Sequence, residues 1–160
     1  MNMIMDDKST VASGLEGIIA GRSSICEVDE DNSKLFYYGY SIVELAEKST
    51  FEEVAYLLLY GKLPSEKELI DFCKRLTLER GIPRKVKDVI KLLPPKTDFM
   101  DVLKIAIGVL HTIDPEYLNT NAANLRKAIR LIAKIPTIIA CYYHFLRGSN
   151  PVRPNANLSH

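Results

Sequence analysis

Two stretches of this sequence are apolar nearly all round, and they constrain the fold more than any other feature. Residues 100–110 are dominated by Met100, Val102, Leu103, Ile105, Ala106, Ile107, Val109 and Leu110, and residues 129–146 continue in the same manner. Both read as helices. A helix without a polar face has to be covered on every side. The remaining chain supplies only a few short helices as cover, so more polypeptide is expected to pack here, either a partner subunit or the rest of a longer chain.

The second stretch is about as long as a short membrane span. Arg130, Lys134 and Pro136 interrupt it, and His144 lies near its end. A central charge costs about 3 kcal/mol on the lenient insertion scale, so a buried core helix is expected rather than a membrane partner. Acidic and basic residues nearly cancel, leaving a net charge of +1, which argues against nucleic acid as a partner. Cys26, Cys73 and Cys141 are odd in number and widely separated. They suit small core residues in a reducing compartment better than disulfides or a zinc site. Residues 1–11 carry Asp6 and Asp7 and no apolar core of a signal peptide. The expected location is the cytoplasm.

Along the chain, residues 1–12 read as frayed, and the glycine-punctuated run at residues 14–21 favours turns or close backbone approach. Residues 13–40 are expected to form a small β element. Its hairpin strands are residues 25–28 and 35–38, joined by the polar turn Asp29, Glu30, Asp31, Asn32 and Ser33. Residues 41–148 have helical periodicity. Ser41 caps a helix over 42–47. Thr50 with Glu53 forms a capping box for a second, which Gly61 and Pro64 end, and Ser65 with Glu68 forms the box of a third. The third helix has the apolar face Leu69, Ile70, Phe72, Cys73 and Leu76, and stops at Gly81 and Pro83. A short helix over 84–93 breaks at Pro94 and Pro95, and Asp98 caps the next, to about residue 113. A polar loop leads into a final helix over 122–146, kinked by Pro136. Residues 149–160 read as a loop.

No constellation for catalysis emerges. His111 precedes Asp114 by three residues, yet a helix C-terminus suits a histidine for structural reasons. His144 is expected to be a hydrogen-bonded interface residue, and nothing in the sequence near His160 would orient it. The adjacent carboxylates Glu52 and Glu53 sit in a first helical turn, where the macrodipole and the capping box account for them. Asp29, Glu30 and Asp31 lack the alternating spacing of a calcium loop. The run at residues 14–21 is not G-x-G-x-x-G, and no nucleophile, zinc or Walker signature occurs.

Five ordered strings resemble the citrate synthase family. GLEGIIAG at residues 14–21 is similar to its opening signature in prokaryotic-type members. YYGYSI at 37–42 resembles YRGYDI, with Tyr38 for the arginine and Ser41 for the aspartate. TFEEVAYLLLYGKLP at 50–64 is close to SFEEVAYLLLYGELP. FMDVL at 99–103 resembles the core of HPMDVLR, with Phe99 for the proline, and LIAKIPTIIA at 131–140 looks like LIAKLPTIVA.

The resemblance implies an all-α fold: the N-terminal part of the family's large helical domain, with a small N-terminal β-hairpin. It implies condensation of acetyl-CoA, or propionyl-CoA in the sister 2-methylcitrate synthases, with oxaloacetate. These are substrates, and no cofactor is implied. The family's aspartate base, its histidines and its carboxylate-binding arginines belong to segments after the last one present. No catalytic, cofactor-binding or metal-binding residue is therefore assigned. The chain alone is expected to be inactive, with a homodimer or a complementing C-terminal portion as partner. The alternative is a truncated paralogue acting as a non-catalytic interaction module, or a decayed gene product that folds poorly.

Overall fold

The computed structural model describes residues 23–160. The glycine-punctuated run at residues 14–21 and the frayed stretch expected over residues 1–12 lie outside them. Six helices and a small three-stranded sheet make up the described residues: β1 (Cys26–Asp29), β2 (Lys34–Tyr37), β3 (Tyr40–Ser41), α1 (Ile42–Lys48), α2 (Phe51–Tyr60), α3 (Glu66–Glu79), α4 (Arg84–Leu92), α5 (Phe99–Ile113) and α6 (Asn121–Leu146).

The sheet is an antiparallel meander in the order β1-β2-β3, one strand more than the expected hairpin. Val28 faces Leu35 in the first ladder. Asp29 organises its turn, accepting from the Asn32 backbone N–H (3.1 Å) and side-chain amide (2.8 Å). The extra strand arises because Tyr38 and Gly39 both have positive φ, 48° and 83°. That pattern reverses the chain in two residues and pairs Tyr37 with Tyr40. A two-residue strand carries no alternation for sequence reading to detect. The Tyr38 ring then lies against Gly61, where a Cβ would stand 3.4 Å from it. Gly61 itself takes the left-handed conformation (φ 78°) that ends α2.

Both capping boxes form as spaced, Thr50 with Glu53 and Ser65 with Glu68, and Asp98 accepts from the Met100 N–H at 2.8 Å. Ser41 departs from expectation. It occupies the N-cap of α1, but its side chain makes no capping bond.

The buried apolar residues form two clusters bridged by α6. Ile129 and Ala133 pack with Ala55, Tyr56, Phe72 and Leu76 of α2 and α3. Further along, Ile138, Cys141 and Tyr142 pack with Val86 and Ile90 of α4 and Val102, Ala106 and Leu110 of α5. Spacings of four residues align Phe72 with Leu76, Val86 with Ile90, Val102 with Ala106 and Leu110, and Ile129 with Ala133, each along one ridge of its helix. The Tyr142 hydroxyl lies 2.9 Å from the Thr97 carbonyl and 3.2 Å from that of Pro94, fastening the α4–α5 connection.

By length and composition α6 could cross a membrane, but here it packs against α3, α4 and α5. Its charges are satisfied inside the protein. Arg130 grips Asp114 through Nη2 (2.6 Å) and Nε (2.9 Å). Lys134, buried, donates to the Glu79 carbonyl (2.6 Å) and carboxylate (2.8 Å). The helix continues through Pro136. Neither apolar helix is fully covered. Met100, Ile105, Ile139, Tyr143 and Leu146 remain exposed.

Candidate functional site

A seam between the start of α2, the end of α3, the middle of α6 and residues 149–160 brings buried polar groups from distant segments together. Glu52 and Arg80 are both buried there. Arg80 follows Phe72 and Leu76 on the same α3 ridge, which points it inward. Its Nη1 donates to the carbonyls of Asn155 (3.0 Å) and Leu158 (2.8 Å), while its Nε is buried without a partner. Glu52 Oε1 accepts the His160 backbone N–H at 2.7 Å, and the His160 ring stacks on Phe51 with centroids 4.9 Å apart.

These contacts correct two expectations. Glu52 is more than a first-turn carboxylate, and His160 is oriented from several sides. Sequence reading missed both because the partners are separated by 75 to 108 positions. Residues 149–160 are a loop, but one with its final half fastened down. Beside them Leu69, Ile70, Cys73 and Leu78 help line an open cleft of about 750 Å³.

The seam is poorly suited to chemistry. Burial, then the Arg80 charge, lowers the His160 pKa, favouring the neutral ring. Burial, then the Glu52 charge, pushes the Cys73 thiol up and away from the reactive thiolate. No base and nucleophile face each other in it.

The other singled-out residues scatter. His111 is exposed, and the Asp114 carboxylate is occupied by Arg130 and by the Glu116 N–H (2.8 Å). Burial alone would raise the Asp114 pKa, but these bonds outweigh it and hold it below the usual value. His144 Nδ1 lies 2.9 Å from Ser149 Oγ, which also lies 3.1 Å from the His144 carbonyl. Glu53 serves its capping box, and Asp29, Glu30 and Asp31 form an ordinary turn. No cluster of His, Cys, Asp or Glu able to hold a metal occurs among the described residues. Cys141 is buried as expected and Cys73 half-buried, whereas Cys26 is exposed on β1.

Fold and seam together define a predominantly helical scaffold whose final residues, 155–160, are fastened to α2 and to the end of α3. A sequence profile described as "Citrate synthase, C-terminal domain" matches residues 14–160, and the chain belongs to the citrate synthase family. It is 35% identical to a citrate synthase of Synechocystis, over 100% of this chain and 41% of that protein. It is 34% identical to a 2-methylcitrate synthase of Mycobacterium tuberculosis, over 98% and 39%. The crystal structure of citrate synthase from Pyrobaculum aerophilum superposes with a TM-score of 0.84 at 36% identity, over 92% of this chain and 39% of that one. That of the Thermotoga maritima enzyme gives 0.79 at 40% identity. The chain thus spans about two-fifths of the length of these relatives.

Proposed function

We propose that this chain is the N-terminal portion of a citrate synthase-type enzyme whose complete form condenses acetyl-CoA or propionyl-CoA with oxaloacetate, giving citrate or 2-methylcitrate and free CoA. The observation that carries the reading is a family match over residues 14–160 that spans only about two-fifths of the length of the relatives. The N-terminal placement rests on the order of the five matching strings rather than on the profile's own description. In such a reaction a base removes a proton from the thioester α-carbon, the enolate attacks the ketone, and water cleaves the thioester. The chain by itself is expected to release no CoA.

The exposed apolar residues of α5 and α6 support a partner at this face, either a second copy or the complementing portion of the synthase, in the cytoplasm. Nothing in the charge balance favours nucleic acid, and the paired cations of α6 favour a protein partner over a membrane. The test is CoA-thiol release from acetyl-CoA and from propionyl-CoA with oxaloacetate, by the chain alone and by the complete synthase containing it. Activity in the complete form only is the expected result, and the faster thioester identifies the substrate. Turnover by the isolated chain would sink the proposal.

The same exposed face would also suit a non-catalytic module that binds an intact synthase. One relative, 39% identical over 86% of this chain, is named only a citrate synthase-related protein, in Dictyostelium discoideum. Stable binding to a synthase, with no turnover in any complete form, would favour that reading.

A further inference from the structure

Arg80 uses only half of its guanidinium. Nη1 donates to two carbonyls, but buried Nε has no partner, and Nη2 makes no hydrogen bond among the described residues. Arg130 shows what that edge can hold, because its own Nε and Nη2 grip the Asp114 carboxylate at 2.9 and 2.6 Å. Arg80 has no such acid, although it is 9% exposed. A buried cation without an anionic partner is costly. The carboxylates around it are engaged elsewhere: Glu52 accepts the His160 N–H, Glu79 holds Lys134, and Asp88 faces Arg84.

Arg80 also lines a cavity of about 330 Å³ between the end of α3, the first half of α4, the middle of α6 and residues 151–154. Half-buried Lys87 and exposed Arg153 line it too. Neither enters an ion pair or a side-chain hydrogen bond among the described residues. Thr77 and Thr137 bring hydroxyls to the same wall, and these also have no hydrogen-bond partner among the described residues. No aspartate or glutamate lines the cavity. The chain as a whole carries a net charge of only +1, so three cations from three separate segments are a local concentration of charge and not the mark of a basic protein.

We propose that this cavity is a binding site for a phosphate group, carried by inorganic phosphate or by a small phosphate ester. Guanidinium and ammonium groups both bind phosphate oxygens through charge-assisted hydrogen bonds. A phosphate dianion has the charge to balance several cations and enough oxygens to accept from the threonine hydroxyls as well. A carboxylate brings one charge and two oxygens and would leave part of the wall unanswered. The ligand would tie α3, α4 and α6 to residues 151–154, so occupancy should stabilise the fold by mass action. The site lies apart from any reacting group, and the inference stands independently of the condensation proposed above.

The test is calorimetric titration of the full-length protein in a chloride buffer at constant ionic strength, with inorganic phosphate, glycerol 3-phosphate and malonate as probes. One saturable site with a Kd below about 1 mM for a phosphate probe is expected, together with a rise in Tm that follows occupancy. The tighter of the two phosphate probes tells free phosphate from an ester. Lys87→Met and Arg153→Met remove charge from the cavity without touching the bonds of Arg80, and each should weaken binding at least about tenfold. Lys85→Met, on the same helix but away from the cavity, should leave it unchanged. Malonate binding as tightly as phosphate would overturn the assignment to phosphate. So would a response that does not saturate, or one equal in wild type, Lys87→Met and Arg153→Met. Because binding is read without turnover, failure here leaves the proposed reaction untouched, and absence of CoA release leaves this site untouched.

Discussion

Lys134 shows how far a single side chain can mislead when it is read without its surroundings. In the sequence it is a charge interrupting an apolar stretch. In the fold its side chain is buried and its ammonium ends on the carbonyl and carboxylate of Glu79. Replacing it with alanine removes both bonds, so Lys134→Ala should cost about 2 kcal/mol in urea unfolding. Asp114 follows the opposite logic, because its pKa is depressed and its stabilising contribution is present above the ordinary carboxylate range. That contribution should fade as pH falls below about 4, and the pH dependence should flatten in Asp114→Asn. Cysteine reactivity separates by burial. Cys26 is exposed, whereas burial raises the Cys141 thiol despite some opposition from Lys87. A thiol reagent should label Cys26 first and reach Cys141 only on unfolding.

The helices themselves are specified locally, and their ends most sharply. Each capping box satisfies backbone donors that an isolated helix would leave unpaired. Thr50→Ala and Ser65→Ala should therefore each cost about 1 kcal/mol, and the double variant close to the sum if the two boxes act independently. In the second box the Lys62 ammonium, with the Ser65 backbone and hydroxyl, holds the exposed Glu68 carboxyl down to about 2. A depressed carboxyl stabilises the folded form above its ordinary value near 4.5 and loses that contribution between there and about pH 2. Carbon-detected titration of Glu68 should show the low midpoint, and Lys62→Met should move it up. The elements that escaped detection lacked such signals. Strand β3 is two residues long, and the turn before it depends on a tyrosine at positive φ, a conformation that side chains rarely adopt.

At the scale of the whole molecule, the packing is organised by α6, which joins the α2–α3 cluster to the α4–α5 cluster. Phe72 is almost fully buried against Tyr56 and Tyr60, so Phe72→Ala should destabilise by about 3–5 kcal/mol in urea unfolding. Helical class, helix order and the two capping boxes were legible in the sequence because each depends on neighbours within four residues, although the cap expected of Ser41 did not form. So was the incomplete cover of α5 and α6, since an all-apolar helix demands more partners than a short chain can supply. The seam was not legible. Arg80 and Glu52 look like ordinary helix-surface charges, and His160 like the end of a loop, until the fold brings α2, α3, α6 and residues 155–160 together. Local periodicity records which way a side chain points from its own helix. What it meets there depends on how helices far apart in sequence pack, and only the tertiary structure decides that.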